Sequence, residues 1–298
     1  MRSVWMPSSL EELWRVLEAS PGVAVYAGGT DLLVRMRSGA VSPSGLICIE
    51  RIPELKGVEV VGESLRIGSG TTHASLLADP ISSRHLPVLT QALKMLGSPL
   101  IRNMGTIGGN VCTASPAGDT LPPLHVLKAS VELLSKGGSR TLPIEEFIEG
   151  PGLTRLEEGE ILAAVRMPKP APGAVQHFEK VGLRNALACA LVSLAAIVRL
   201  SPEGIVEDAA LAWGSVGATV VRCPRSEEHT SELPEAEALL RDRRLDVDAL
   251  SEAASVVRKT VSPISDVRAG ADYRRVVAGN LLLRLAPSKG QERTALAR

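Results

Sequence analysis

Apolar positions recur with a helical period at Leu10, Leu13, Trp14 and Leu17, which predicts an amphipathic helix across LEELWRVLEAS. Ser8 and Ser9 precede it and Glu11 and Glu12 fill its first turn, the composition of a capped start. Pro21-Gly22 stops it, and Val23–Tyr26 is a short β-prone run that ends at a glycine pair. Leu32–Met36 begins another helix, and Leu46–Ile49 reads as a strand. These elements make a first segment of about 1–55.

A second segment, about 56–168, alternates strands with glycine-rich turns. Strands are expected at Ser64–Ile67, Val131–Ser135 and Gly159–Met167, and helical stretches at Thr71–Leu77 and Leu86–Leu96. Gly97 to Asp119 is so rich in glycine and hydroxyl residues that a loop is expected there. Pro168, Pro170 and Pro172 then mark a boundary, because proline lacks the amide that a helix or central strand needs. In the third segment, about 174–287, Val192–Leu200 and Ile205–Trp213 flank the turn-forming Ser201-Pro-Glu-Gly204, a hairpin signature. Helices are expected near Leu233–Arg241, Val247–Thr260 and Tyr273–Leu285, and the polar tail from Pro287 is expected to be loose. Arg225 to Leu233 has no period of either kind and reads like translated sequencing adapter, so His229 is given no functional weight.

Composition narrows the function. Lys+Arg and Asp+Glu are both 33, and only 3 Trp, 2 Tyr and 2 Phe occur. Neither a polyanion-binding surface nor a base-stacking platform follows from that balance, so no nucleic-acid partner is expected. The longest nearly apolar run, Ala186 to Val198, is too short for a membrane span, which needs about 20 residues. The N-terminus lacks the apolar stretch of a signal peptide. The 4 cysteines are widely separated, with no C-x-x-C pair, so this chain is expected to hold neither a metal nor an iron–sulfur cluster. A cytoplasmic, reduced protein is the expectation.

Two glycine loops carry the candidate chemistry. Ala27-Gly28-Gly29-Thr30-Asp31-Leu32 follows a short strand, where glycines let backbone amides approach an anion and a helix start adds a positive end. In the second loop Gly108 and Gly109 offer close approach. Asn110, Thr113 and Ser115 offer side-chain hydrogen bonds, and Asp119 can accept from a sugar or ribityl hydroxyl. Two such loops with no lysine in either suit an extended dinucleotide. No Walker loop occurs, and Gly68-Ser-Gly70-Thr-Thr-His73 lacks the third glycine of a Rossmann fingerprint. No hydrolytic constellation is present; His73, at a helix start, is placed to approach a ligand.

The string A-G-G-T-D-L-L near residue 30, followed by I-R-N-x-G-T-I-G-G-N-x-x-T-A-S-P-x-x-D over 101–119, resembles the FAD-binding middle subunit of the molybdenum hydroxylases, the xanthine dehydrogenase and carbon monoxide dehydrogenase group. Glu160-Ile-Leu162, Phe178 to Arg184, and Pro263 to Arg275 resemble later family segments, so the likeness spans about 22–285. It implies an α+β fold. A two-part FAD-binding domain of the vanillyl-alcohol-oxidase (PCMH) type would occupy 1–170, with parts of about 1–55 and 56–170. A smaller α+β C-terminal domain with antiparallel strands and helices would occupy 174–287, ahead of a loose tail, 288–298. By matching position, Ala27, Gly28, Gly29, Thr30, Asp31 and Leu32 would hold the pyrophosphate region of FAD. Thr106, Gly108, Gly109, Asn110, Thr113, Ser115 and Asp119 would complete the pocket, Ile161 and Leu162 would pack near the flavin ring, and Lys180 would tune it.

The implied partners are a molybdopterin-binding large subunit, a two-cluster [2Fe-2S] small subunit, and an electron acceptor such as NAD. Thr30-Asp31 resembles the xanthine dehydrogenase side, whereas carbon monoxide dehydrogenase-type medium subunits have a His or Gln followed by Ser there. That carbon monoxide dehydrogenase-type subunit, a self-sufficient flavin oxidase and a flavin-free scaffold subunit stand as alternatives.

Overall fold

The computed structural model describes residues 2–222 and 234–287. The adapter-like stretch, His229 and the tail 288–298 lie outside the described residues. In chain order the elements begin β1 (Ser3–Trp5), α1 (Leu10–Ala19), β2 (Ala24–Tyr26), α2 (Leu32–Arg37), β3 (Gly45–Cys48), β4 (Val58–Val61) and β5 (Ser64–Gly68). Helices α3 (His73–Ala78), α4 (Pro80–His85), α5 (Pro87–Met95), α6 (Pro99–Met104), α7 (Ile107–Thr113) and α8 (Leu121–Val126) follow. Next come β6 (Ser130–Ser135), β7 (Gly138–Pro143), α9 (Ile144–Phe147), β8 (Ile148–Gly150), β9 (Leu153–Thr154) and β10 (Ile161–Pro168). The chain continues with β11 (Val175–Val181), β12 (Val192–Leu200), β13 (Val206–Gly214), β14 (Val221–Arg222), α10 (Pro234–Leu240), α11 (Val247–Thr260) and α12 (Ala271–Leu282).

Two compact units form, and the fold is α+β. One comprises residues 1–85, 96–115 and 128–169. It contains a three-stranded sheet in the order β1-β3-β2, with both pairings parallel. Its α1 starts where the sequence signals it: Ser9 Oγ accepts from the Glu12 amide, and Glu12 accepts from the Ser8 amide in return. The apolar stripe of α1 then covers the sheet, with Leu13 and Ile47 fully buried in one core with Ile52 and Ile161. The same unit holds an antiparallel five-stranded sheet, β4-β5-β10-β6-β7. β10 reads as an almost unbroken apolar run because it lies in the middle, paired with β5 and β6.

The expected loop from Gly97 to Asp119 is not one loop: it contains α6 and α7. Ser98 caps the first and Thr106 the second, each hydroxyl accepting an amide three residues on. These local caps outweigh the poor helix propensity of Gly108 and Gly109.

The second unit comprises residues 86–95 and 116–127 and the described residues from 170 to 287. Its antiparallel sheet has the order β11-β12-β13-β14, and the β12–β13 hairpin turns through Ser201–Gly204 as expected. Gly204 takes a positive φ of 80° there. Helices α10, α11 and α12 bury Ala236, Leu250, Val257 and Leu282 against the β12 and β13 core residues Leu194 and Leu211. Trp213, fully buried, donates its indole N–H to the Ala278 carbonyl at 3.1 Å. Among the described residues no helix is long and apolar enough to cross a membrane.

On α8, His125 is buried with Nδ1 2.8 Å from the Leu121 carbonyl. Burial pulls its pKa down from 6.5 to about 4, against the opposing pull of that hydrogen bond. Between these values the unfolded chain takes up a proton that the native state refuses. The stability present above pH ~6.5 is therefore lost as the pH falls, by about 1.4 kcal/mol per pH unit. Thermal unfolding from pH 7 to 4.5 should show a steeper fall in midpoint for the wild type than for His125→Gln; equal slopes contradict this.

Candidate functional site

The two glycine loops meet in the first unit. A cavity of about 350 Å³ is lined from one side by Tyr26 to Leu32 and Arg35, and from the other by Thr106, Gly109, Asn110 and Thr113. Val25, His73, Ile101, Gly105 and Cys112 complete its wall. Of the candidates named from sequence, Ala27, Gly28, Gly29, Thr30, Asp31, Leu32, Thr106, Gly109, Asn110 and Thr113 share this cavity. Gly108, Ser115, Ile161 and Leu162 do not line it.

The glycines divide by role. Gly29 takes a φ of 68°, which bends the chain from β2 into α2. A Cβ on Gly28 would fall 1.7 Å from the Met104 carbonyl oxygen, and one on Gly108 would fall 2.5 Å from Ser69 Cβ. The expected close approach of a ligand at Gly108 is therefore corrected: Gly108 is buried, and its bare Cα serves packing of α7 on the turn after β5. Gly109 is different. It is exposed, lines the cavity, and a Cβ there would meet only Thr106 Oγ1, at 3.1 Å.

The amides divide too. At the head of α7 they are all engaged inside the chain: Ile107 to Thr71 O, Gly108 to Ser69 O, Gly109 to Thr106 Oγ1 and Asn110 to Thr106 O. In the first loop the amides of Gly28, Gly29, Thr30 and Asp31 donate to no partner among the described residues. The expected anion-holding amides thus reside in the first loop only. Helix α2 adds little dipole, being six residues long, with Asp31 making no side-chain cap.

The cavity's charge is low. Arg35 lies one turn beyond Asp31, 3.8 Å from its carboxylate. That i,i+4 spacing was readable in the sequence, and Arg35 was missed there. Burial pulls His73 down to about 4, with Arg102 adding to the effect, so its ring is neutral near pH 7. Burial likewise pushes the Cys112 thiol up to about 12. Neutral donors, one arginine and the Asp31 carboxylate beside it therefore face any bound anion.

The remaining candidates sit elsewhere. Ser115 follows Ala114, the left-handed C-cap of α7. Ile161 belongs to the apolar core, and Leu162 is buried at a register shift in the β10–β6 pairing. In the second unit Lys180 on β11 and Asp119 form a buried ion pair at 2.6 Å. Lys180 also donates to the carbonyls of Met95 at 2.9 Å and Ala188 at 3.1 Å, which occupies its three ammonium hydrogens. Burial raises the Asp119 carboxyl above the usual carboxylate range, with Lys180 opposing. Its Oδ1 is buried with no partner. Among the described residues no cluster of His, Cys, Asp and Glu is placed to hold a metal ion.

These residues fit an adenine dinucleotide. In the first unit a run of undonated amides suits a pyrophosphate, and Gly109 leaves open surface beside the cavity.

Comparison with known proteins gives the same direction. Residues 1–170 match the family described as the FAD binding domain in molybdopterin dehydrogenase, and residues 177–287 match the CO dehydrogenase flavoprotein C-terminal domain. The chain is 32% identical over 270 residues to a xanthine dehydrogenase FAD-binding subunit of Escherichia coli O157:H7, covering 90% of this chain and 88% of that one. It is 31% identical to the carbon monoxide dehydrogenase medium chain of Hydrogenophaga pseudoflava, covering 93% of each. A solved structure of quinoline 2-oxidoreductase from Pseudomonas putida 86 superimposes with a TM-score of 0.87 at 27% identity, covering 96% of this chain and 95% of that one.

The division among glycines is testable by stability. Gly28→Ala and Gly108→Ala should each lower stability by about 2–4 kcal/mol, because a methyl must displace packed neighbours. Gly109→Ala should stay within about 1 kcal/mol of wild type. Urea unfolding of the three variants checks this, and equal losses at all three positions contradict it.

Proposed function

The chain belongs to the family of FAD-binding subunits of molybdenum hydroxylases, and on that premise we propose how its own residues serve the flavin and which partners it serves. The amides of Gly28 to Asp31, with the Thr30 hydroxyl, hold the pyrophosphate. Gly109 lets the ligand lie against α7, and its backbone is fixed there, its amide donating to the Thr106 hydroxyl and its carbonyl accepting from the Thr113 hydroxyl. Asn110 and Ser115 add polar contacts, and Asp119 accepts from a sugar or ribityl hydroxyl. Lys180 keeps Asp119 charged and oriented, and its ammonium favours negative charge nearby. Ile161 and Leu162, both buried, pack near the flavin ring.

The observation that carries this reading is the run of amides without partners on the same cavity as Gly109. FAD, when bound, supplies the redox chemistry, taking single electrons and passing on a pair. No general base is required of this chain for that task.

The partners follow from the family. A molybdopterin-binding large subunit oxidises the substrate, a two-cluster [2Fe-2S] small subunit relays the electrons, and NAD or another oxidant accepts them, in the cytoplasm. The Thr30-Asp31 pair favours a xanthine dehydrogenase-like enzyme over a carbon monoxide dehydrogenase-type one.

Purified with its partners, the wild type should show flavin absorbance. Gly109→Val should lose it, and Asp119→Ala should bind FAD about tenfold more weakly. Full flavin occupancy in both variants contradicts the assignment of the pocket, and a wild-type complex that releases no FAD on denaturation contradicts the reading as a whole.

A further inference from the structure

His73 has a side chain that the fold itself leaves without a use. It is the first residue of α3, 2% exposed, and its backbone amide donates to the Gly105 carbonyl at 2.9 Å. Its ring nonetheless lines the cavity that holds Gly28, Gly29, Thr30 and Gly109. Nδ1 is shielded from solvent and has no hydrogen-bond partner. Such a group costs free energy unless something completes it.

Gly105 accounts for its placement. A Cβ built there would lie 3.2 Å from His73 Cδ2 and 3.3 Å from Thr30 Oγ1, so the bare glycine lets the imidazole and the hydroxyl approach the same spot. The nearby Arg102 guanidinium is engaged by the Leu96 and Gly97 carbonyls and does not bond the ring.

Resting on the FAD-binding reading above, we propose that His73 is a ligand-binding residue: its imidazole N–H, beside the Thr30 hydroxyl, donates a hydrogen bond to a pyrophosphate oxygen of the bound dinucleotide. The ring acts as a neutral donor, consistent with burial holding its pKa near 4. A neutral donor suits an anion whose charge the first-loop amides already meet, because a second buried cation would carry a desolvation penalty.

The test compares His73→Phe, which keeps the ring and removes both nitrogens, with His73→Gln, which restores a neutral N–H donor. FAD is titrated into flavin-stripped full-length protein, thermal midpoints of the stripped forms are recorded, and ³¹P spectra of bound FAD are taken. The Phe variant should bind FAD about ten- to a hundredfold more weakly, the range for a hydrogen bond to a charged group. Its stripped midpoint should match or exceed wild type, since the orphaned nitrogen is gone. Gln should recover much of the affinity, and the pyrophosphate resonances should shift between wild type and Phe.

FAD affinity within twofold of wild type in the Phe variant overturns the proposal. So does an equal loss in both variants accompanied by lower stripped midpoints, which marks a packing role. If the Phe variant fails to fold, the Gln titration and its ³¹P spectrum decide: unchanged pyrophosphate shifts count against the contact and moved shifts for it. A wild type that binds no FAD overturns the underlying reading as well, so the two failures are told apart by the wild-type titration.

Discussion

Close approach of backbone to backbone is the constraint on which the first unit's site depends. Three stretches converge: the turn into α2, the turn after β5, and the head of α7. Gly28 touches the Met104 carbonyl, and Gly108 touches Ser69, at separations no side chain tolerates. The contacts are fixed by directional bonds, Gly108 N–H to Ser69 O at 2.9 Å and Ile107 N–H to Thr71 O at 3.1 Å. Because these amides are engaged in holding α7, the amides of Gly28 to Asp31 are what remain to meet a ligand. Structure and binding thus divide the same residue type between them.

Electrostatics follow a similar economy. The cavity in the first unit has a single arginine, paired with Asp31, and titratable neighbours that burial keeps neutral. The second unit concentrates its buried charge in one pair, Lys180 and Asp119, with two carbonyls completing the lysine. A lysine so tethered is a fixed charge rather than a mobile side chain. Removing either partner would leave the other buried and uncompensated, which is far more disruptive than losing an exposed ion pair.

What the sequence made readable was local. The Ser8-Ser9 and Glu12 exchange at α1 and the Ser201–Gly204 hairpin each depend on residues within a few positions of one another. The helices inside Gly97–Asp119 were hidden because glycine content argues for a loop, whereas Ser98 and Thr106 caps and the Ser69 contact decide otherwise. β1 was hidden because it is three residues long and gains its stability from pairing with β3. At the site, both glycine loops were visible as motifs. The roles of their individual glycines were not, since those depend on Met104 and Ser69. The Asp119–Lys180 pair joins residues 61 positions apart, and no local pattern signals it. The placement of α5 and α8 within the second unit is non-local in the same way.

A structure of the chain purified with its flavin in place measures the central claim most directly. The account predicts pyrophosphate oxygens within hydrogen-bond distance of the Gly28 to Asp31 amides, with the ligand lying against Gly109. A pyrophosphate bound away from that loop, with those amides still facing solvent, would contradict it.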